Sequence, residues 1–383
     1  MFSKNFKFHN FKKNKTFLKV KKDLKNLLKE NNQTLCSLKS TYKNKYNLKK
    51  ILKLNNKLEI RIIGMGGSIL GAKAIYNFLP VRKKLLFIDN LNSRLNLKKK
   101  NYLNLIISKS GNTMETIVNS NLLISKKDKN IFITENKKSY LYKLAKKLNS
   151  EIIEHNNFIG GRYSVLSEVG MVPAELMGLN SNYFRQLNQL IKKKNFINSL
   201  IHNVASTLFF IKNKKLNSVI INYDEKSDSL FKWYQQLIAE SLGKKSKGIL
   251  PIISNMPKDN HSLMQLYLDG FKNNFYTFFN VKNNVSENIN HSKLLMSHNF
   301  LKNKNLIDIK QSQFSATEKV FKIKRIPFRS FLVKKRTEET LGELFIFFIL
   351  ETILLGKALN VNPYDQPAVE LIKTETKKFL KKN

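Results

Sequence analysis

The sequence predicts an α/β protein of two units, each a mainly parallel sheet flanked by helices. Three observations carry that prediction. Short apolar strand patterns alternate with helical ones over 58–154, a glycine-rich turn joins the first of those strands to its helix, and the alternation restarts near Leu216. A chain of 383 residues is long enough for two cores. The division expected is an N-terminal helical region at 1–50, a first domain at 51–200, and a second at 201–383 that ends in helices.

Taken in order, the first fifty residues are basic, with only Asp23 and Glu30 as acids, and 17–28 has helical apolar spacing. They contain no arginine and no apolar h-region near Met1, so neither a transit nor a secretory signal is expected. The pattern at 58–63 reads as a buried strand running into Gly64-Met65-Gly66-Gly67-Ser68, with a helix at 69–79. Strands are expected at 85–89 and 102–107. The latter ends in Ser108-Lys109-Ser110-Gly111-Asn112-Thr113, followed by a helix through Lys126. Strands at 131–135 and 151–154 enclose a lysine-rich helix, and a Gly160-Gly161-Arg162 turn comes next. In such sheets, ligands belong at the carboxyl ends of the strands.

The second unit reads as a strand at 219–223, a helix around Trp233 to Lys244, and strands at 247–254 and 274–281. Residues 282–312, rich in Asn, Lys and Ser, read as an irregular excursion. The long apolar run at 341–359 is interrupted by Glu343, Glu351 and Lys357, which predicts a buried core helix and not a membrane span. A last helix starts at Pro367 and carries Lys373.

Composition sets bounds on function. One cysteine, Cys36, excludes an internal disulfide framework and fits a reducing, cytoplasmic setting. The net charge of +42, from 69 Lys plus Arg against 27 Asp plus Glu, suggests a nucleic-acid binder at first sight. The excess is almost all lysine and is spread from end to end among Asn, Ile and Phe, as an AT-rich coding sequence would produce. No specific nucleic-acid partner is therefore expected. A positive surface still concentrates anionic substrates.

Four clusters carry candidate chemistry. Gln236 and Glu240 lie one helical turn apart on the same face, and a carboxylate among apolar neighbours is suited to take a proton from carbon. Ser108, Ser110 and Thr113 place three hydroxyls at a helix N-terminus, a setting for a phosphate monoester; Ser110 or Thr113 can equally cap that helix. Arg162, in its glycine turn, is placed to reach a developing oxyanion. His261 stands at the start of a short helix. None of the six histidines has metal-ligand spacing with another His or Cys, so no metal is expected.

Taken together, Gly66 to Gly71, Ser108 to Thr116, Gly160 to Ser164, Tyr234 to Lys244, Asp259 to Ser262 and Tyr364 to Lys373 resemble the glucose-6-phosphate isomerase family in order and spacing. The resemblance covers about 60–373. It implies two SIS-type sugar-isomerase domains, an aldose-ketose isomerisation through a cis-enediolate in glycolysis and gluconeogenesis, no cofactor, and a homodimer. It implies that Ser108, Ser110 and Thr113, with Lys109 as backbone support, hold the phosphate. Glu240 would carry the proton between C2 and C1, and Arg162 would steady the enediolate. His261, entering from the partner subunit, and Lys373 would open the sugar ring, while Gly67, Ser68, Gln236 and Gln366 would position hydroxyls and water. The chain is short for that family, which implies trimmed terminal arms. Two rival readings stay open: an isomerase that also takes mannose 6-phosphate, and a non-catalytic sugar-phosphate-binding regulator, which would have no need of Glu240, Arg162, His261 and Lys373 together.

Overall fold

The computed structural model describes residues 4–11, 17–55, 58–92, 101–125, 127–282 and 286–382. The described residues hold ten strands: β1 (Phe6–His9), β2 (Glu59–Gly64), β3 (Leu85–Ile88), β4 (Tyr102–Ile107), β5 (Lys129–Thr134), β6 (Glu151–Glu154), β7 (Asn217–Asn222), β8 (Leu250–Asn255), β9 (Asn274–Val281) and β10 (Phe328–Val333). They form two five-stranded sheets. The first has the order β3-β2-β4-β5-β6 and is parallel throughout. Its central strands are near-continuous apolar runs because helices cover both faces.

The second sheet has the order β1-β10-β9-β7-β8. Four of its strands are parallel, and β1 closes the edge antiparallel to β10, with Phe6 opposite Val333. The order β8-β7-β9-β10 repeats the winding of β3-β2-β4-β5. Each sheet therefore reverses direction between its first strand and its third, and there the crossover loops part to leave a crevice at the strands' carboxyl ends.

The expected elements stand, with boundary shifts of a few residues, and four differences are informative. Residues 1–50, expected to be helical, also supply β1; four residues too short for a periodicity signal become a strand because β10 offers an open edge. β10 itself was not expected, since Arg329 and Ser330 interrupt its apolar pattern, and both are buried. The excursion at 282–312 gives way at Leu306 to an 18-residue helix, Leu306–Ile323, started by a reciprocal capping box between Asn305 and Asp308. The helix after the Ser108 loop is Met114–Leu123, and its expected last residue, Lys126, lies outside the described residues, as do 283–285 of the excursion.

Helix Glu338–Ala358 runs through the middle of the molecule and is buried at every position from Thr340 to Gly356. It packs on helices Phe17–Lys29, Lys194–Lys212 and Asp228–Leu242. Its Glu351 is ion-paired with Arg329 of β10, which also donates to Asn203 and Thr277. A charge can be kept in that core only because it is paired and hydrogen-bonded. Among the described residues no helix is long and apolar enough to cross a membrane.

One helix pair fixes the site. Asp228–Leu242 follows β7 in the second sheet but packs along Leu70–Phe78, the helix that follows β2 in the first. Leu230, Trp233, Leu237, Ile238 and Leu242 are buried along it, each contributing about 1.5–3 kcal/mol of apolar burial. The C-terminal turn of Asp228–Leu242, which carries Glu240, is thereby brought to the crevice of the first sheet.

Candidate active site

Glu240 is one-third exposed, and both its carboxylate oxygens are engaged from the protein side. Gln236, one turn earlier, donates from Nε2 to Oε1 at 2.9 Å, and Arg162 donates from Nη1 to Oε2 at 3.2 Å. The Arg162 side chain is only 1% exposed. A carboxylate gripped on one edge and open on the other can accept a proton from a bound carbon acid and return it to a neighbouring atom.

Arg162 lies in the 3-10 turn Gly161–Leu166. All five of its N–H donors have acceptors: Nε on the Ser241 hydroxyl at 2.8 Å, Nη1 on Glu240 and on Gln366 Oε1 at 2.6 Å, and Nη2 on the carbonyls of Pro363 and Asp365 at 2.7 and 3.0 Å. Its own carbonyl accepts from the Trp233 indole at 3.1 Å. The guanidinium is therefore locked in plane and position, with its charge facing the carboxylate.

The glycines beside it act first on backbone packing. Gly67 belongs to the turn after β2, and a Cβ there would stand 2.2 Å from the Gly161 carbonyl carbon and 2.5 Å from the Arg162 nitrogen. Only glycine lets the β2 turn and the Arg162 turn touch. Gly66 has φ of +53°, the left-handed region, and a Cβ there would press on the Gln236 amide at 2.8 Å. Ser68 closes the same turn and is buried.

At the carboxyl end of β4, Ser108 Oγ and Thr113 Oγ1 are 2.8 Å apart, while Ser110 Oγ accepts from the Asn112 N–H at 3.2 Å. Thr113 occupies the N-cap of Met114–Leu123 but makes no side-chain cap bond. Its hydroxyl instead joins Ser108 in a small polar cluster beside the helix's first-turn N–H groups, an arrangement fitted to an anion. Lys109 turns away to donate to the Asn157 carbonyl at 2.8 Å, tying this loop to the one that leads into Arg162. Burial lowers its ammonium pKa, partly offset by Glu135.

The other expected residues divide. Gln366 joins the cluster through Arg162. His261 ends the turn Lys258–His261, exposed, and neither hydrogen-bonds nor ion-pairs with the cluster. Lys373 lies on Val369–Lys382, a helix with no buried side chain among its described residues, and donates to Glu370 at 2.6 Å. Sequence reasoning missed Ser241, Tyr163, Lys244 and the Pro363 carbonyl. Lys244 pairs with Asp365 at 2.9 Å and, together with Arg162, pins the loop before Gln366. Nothing in the pattern around Lys244 distinguishes it from the other lysines, and a carbonyl has no sequence signal.

A family model described as phosphoglucose isomerase matches residues 8–383. The glucose-6-phosphate isomerase of Methanocaldococcus jannaschii is 35% identical over 85% of this chain and 84% of its own length. That of Mycoplasmopsis pulmonis is 31% identical over 84% and 82%. Among solved structures, a hypothetical protein from Thermus thermophilus superposes with a TM-score of 0.81 at 22% identity, covering 95% of this chain and 94% of that one. A glucose-6-phosphate isomerase from Chlamydia trachomatis does so with a TM-score of 0.76 at 16% identity over 98% and 88%, a likeness of fold.

Proposed function

Because the chain belongs to the phosphoglucose isomerase family, we propose that its interconversion of glucose 6-phosphate and fructose 6-phosphate runs through the crevice around Glu240. The observation that carries this is the carboxylate of Glu240 held between Gln236 and the buried Arg162 at the carboxyl end of the first sheet. In this reading the two sheets with their helices are the two sugar-isomerase units, with the boundary near residue 200 falling inside helix Lys194–Lys212 and β1 crossing over to the second unit.

Hydrogen on carbon next to a carbonyl is acidic only if the enolate that forms is stabilised. Glu240 takes the C2 proton of the open-chain aldose and delivers it to C1, while the neighbouring hydroxyl proton moves between O2 and O1. The developing oxyanion is stabilised by the nearby positive charge of the Arg162 guanidinium, which is fixed in advance by its five protein acceptors, so little reorganisation accompanies the charge. The phosphate rests on Ser108, Ser110, Thr113 and the helix N-terminus behind them. Binding energy gathered there orients the sugar carbons over Glu240. Gly67, Ser68, Gln236 and Gln366 shape the hydroxyl side of the crevice.

Opening the pyranose ring needs an acid and a base for O5 and the C1 hydroxyl. His261 and Lys373 fill these roles in a homodimer in which His261 crosses into the other subunit's site and Lys373 approaches on the C-terminal helix. Both stand exposed in the single chain, as residues completed by a partner would. A reducing, cytoplasmic location belongs to the same reading.

The test is formation of glucose 6-phosphate from fructose 6-phosphate by the purified protein, with Glu240→Gln beside it. Turnover that falls by roughly 10²–10⁴ in the variant, with the fold intact, supports the base assignment. Equal activity of the two proteins removes it, and inactivity of both with retained sugar-phosphate binding favours a regulator.

A further inference from the structure

We infer that Ser241 and Tyr163 form a positioning pair that sets the orientation of Arg162; the inference rests on the role given to Arg162 above. Ser241 is wholly buried and directly follows Glu240 on the helix. The two residues thus approach the same guanidinium from different sides: Glu240 meets Nη1, and Ser241 meets Nε.

The direction of each hydrogen bond can be assigned from valence. The Nε–H of Arg162 can only donate, so the Ser241 oxygen accepts it at 2.8 Å. The Pro363 carbonyl can only accept, and it takes the Tyr163 hydroxyl at 2.9 Å as well as Arg162 Nη2 at 2.7 Å, which fills both its lone pairs. With its single proton spent there, Tyr163 must accept from Ser241, whose oxygen is 2.8 Å away. A directed chain results: Arg162 to Ser241, Ser241 to Tyr163, Tyr163 to Pro363.

Two properties follow. Every proton in the chain has an acceptor, so no member can turn without leaving a buried donor unpaired. The chain also closes on the loop that supplies Gln366, so the Arg162 plane, the Glu240 helix and the 360–366 loop share one geometry. Neither Ser241 nor Tyr163 needs to touch the sugar to matter. Without Ser241, the guanidinium loses the one contact at Nε and can tilt about its Nη contacts, away from where the oxyanion forms.

A residue acting through Arg162 on a charge that develops during reaction should change kcat more than KM, because the phosphate is held elsewhere. The experiment is a kinetic cycle on fructose 6-phosphate with Ser241→Ala, Arg162→Lys and the double variant, plus Ser241→Thr, each with its melting temperature. We expect kcat to fall about 10–50-fold in Ser241→Ala with KM within about threefold, and Ser241→Thr to recover most of the loss. In the Arg162→Lys background, Ser241→Ala should cost less than about twofold, since the partner it positions is gone. A kcat for Ser241→Ala within twofold of wild type overturns the inference, as does an equal loss in both backgrounds, the mark of a merely structural role. If Ser241→Ala does not fold, Tyr163→Phe enters the same cycle with the same criteria. An active wild type with an inactive Glu240→Gln and an unaffected Ser241→Ala removes only this inference, whereas an inactive wild type removes the isomerase site and this inference together.

Discussion

Arg162 Nη1 lies 3.2 Å from Glu240 Oε2, and the two come from loops and helices of different sheets, 78 residues apart. The guanidinium is buried while the carboxylate is partly open. The two residues should therefore fail in different ways when changed. Arg162→Lys keeps a positive charge but offers three donors on a flexible stem where five in a fixed plane are used. We expect stability to drop by about 2–4 kcal/mol, because buried acceptors lose their partners, and kcat to drop by about 10²–10³. Denaturant melts read beside steady-state kinetics check this, and a stable, fully active lysine variant would contradict the site.

The Ser108 and Thr113 hydroxyls share one cluster, so removing both should act mainly on binding. For Ser108→Ala with Thr113→Val, KM for fructose 6-phosphate is expected to rise by about 10–100-fold. A smaller fall in kcat should accompany it, because the remote anchor also orients the sugar. With a net charge of +42, KM should also rise from low to high salt in the unmodified enzyme. A salt-independent KM would show that the lysine surplus plays no part in substrate capture.

Gly67→Ala should be among the most damaging small changes in the chain. Its methyl would meet backbone at 2.2 Å, and backbone on that side carries Arg162. The two turns must separate, so both melting temperature and activity are expected to fall. Gly178→Ala, where a Cβ meets nothing within 4 Å, is a control for loss of glycine alone, although its positive φ carries its own strain.

His155, at the end of β6, is buried, and burial pushes its imidazole down to about 4. The folded protein thus binds this proton less readily than the unfolded chain, whose histidine titrates near 6.5. Between those values the unfolded state holds more protons, so stability is retained above pH 6.5 and lost as pH falls toward 4. The loss from this group amounts to about 2 kcal/mol at pH 5. Melting curves at pH 7.5 and 5 check it: His155→Gln should show a smaller drop between the two than wild type.

The homodimer reading makes a prediction that no single-site variant can. Glu240→Gln and His261→Ala should each be nearly inactive. Mixed after dissociation and reassociation, they should form hybrids in which one of the two sites has both a native Glu240 and a native His261. Activity should return to about a quarter of wild type, half of the dimers having one working site. Mixing that restores nothing would place His261 in its own subunit's site or outside the site altogether.

The sequence by itself determined the parallel sheets, the three loops at their carboxyl ends and the identity of Glu240, Arg162 and Ser108 as candidates. These are local matters: short apolar runs and helical spacing, glycines at turns, and hydroxyls before a helix all act within a few residues. Strand β1 escaped because its pairing with β10 spans the whole chain, and β10 escaped because buried Arg329 and Ser330 break its pattern. Only the tertiary structure decided that the Glu240 helix, while covering its own sheet, also packs along Leu70–Phe78, and that Gly67 is needed for contact between two loops. It alone placed Ser241, Tyr163 and the Pro363 carbonyl around Arg162. Such contacts join residues 78 to 201 positions apart through single hydrogen bonds. No periodicity records them, because their specificity lies in distance and direction and not in residue type.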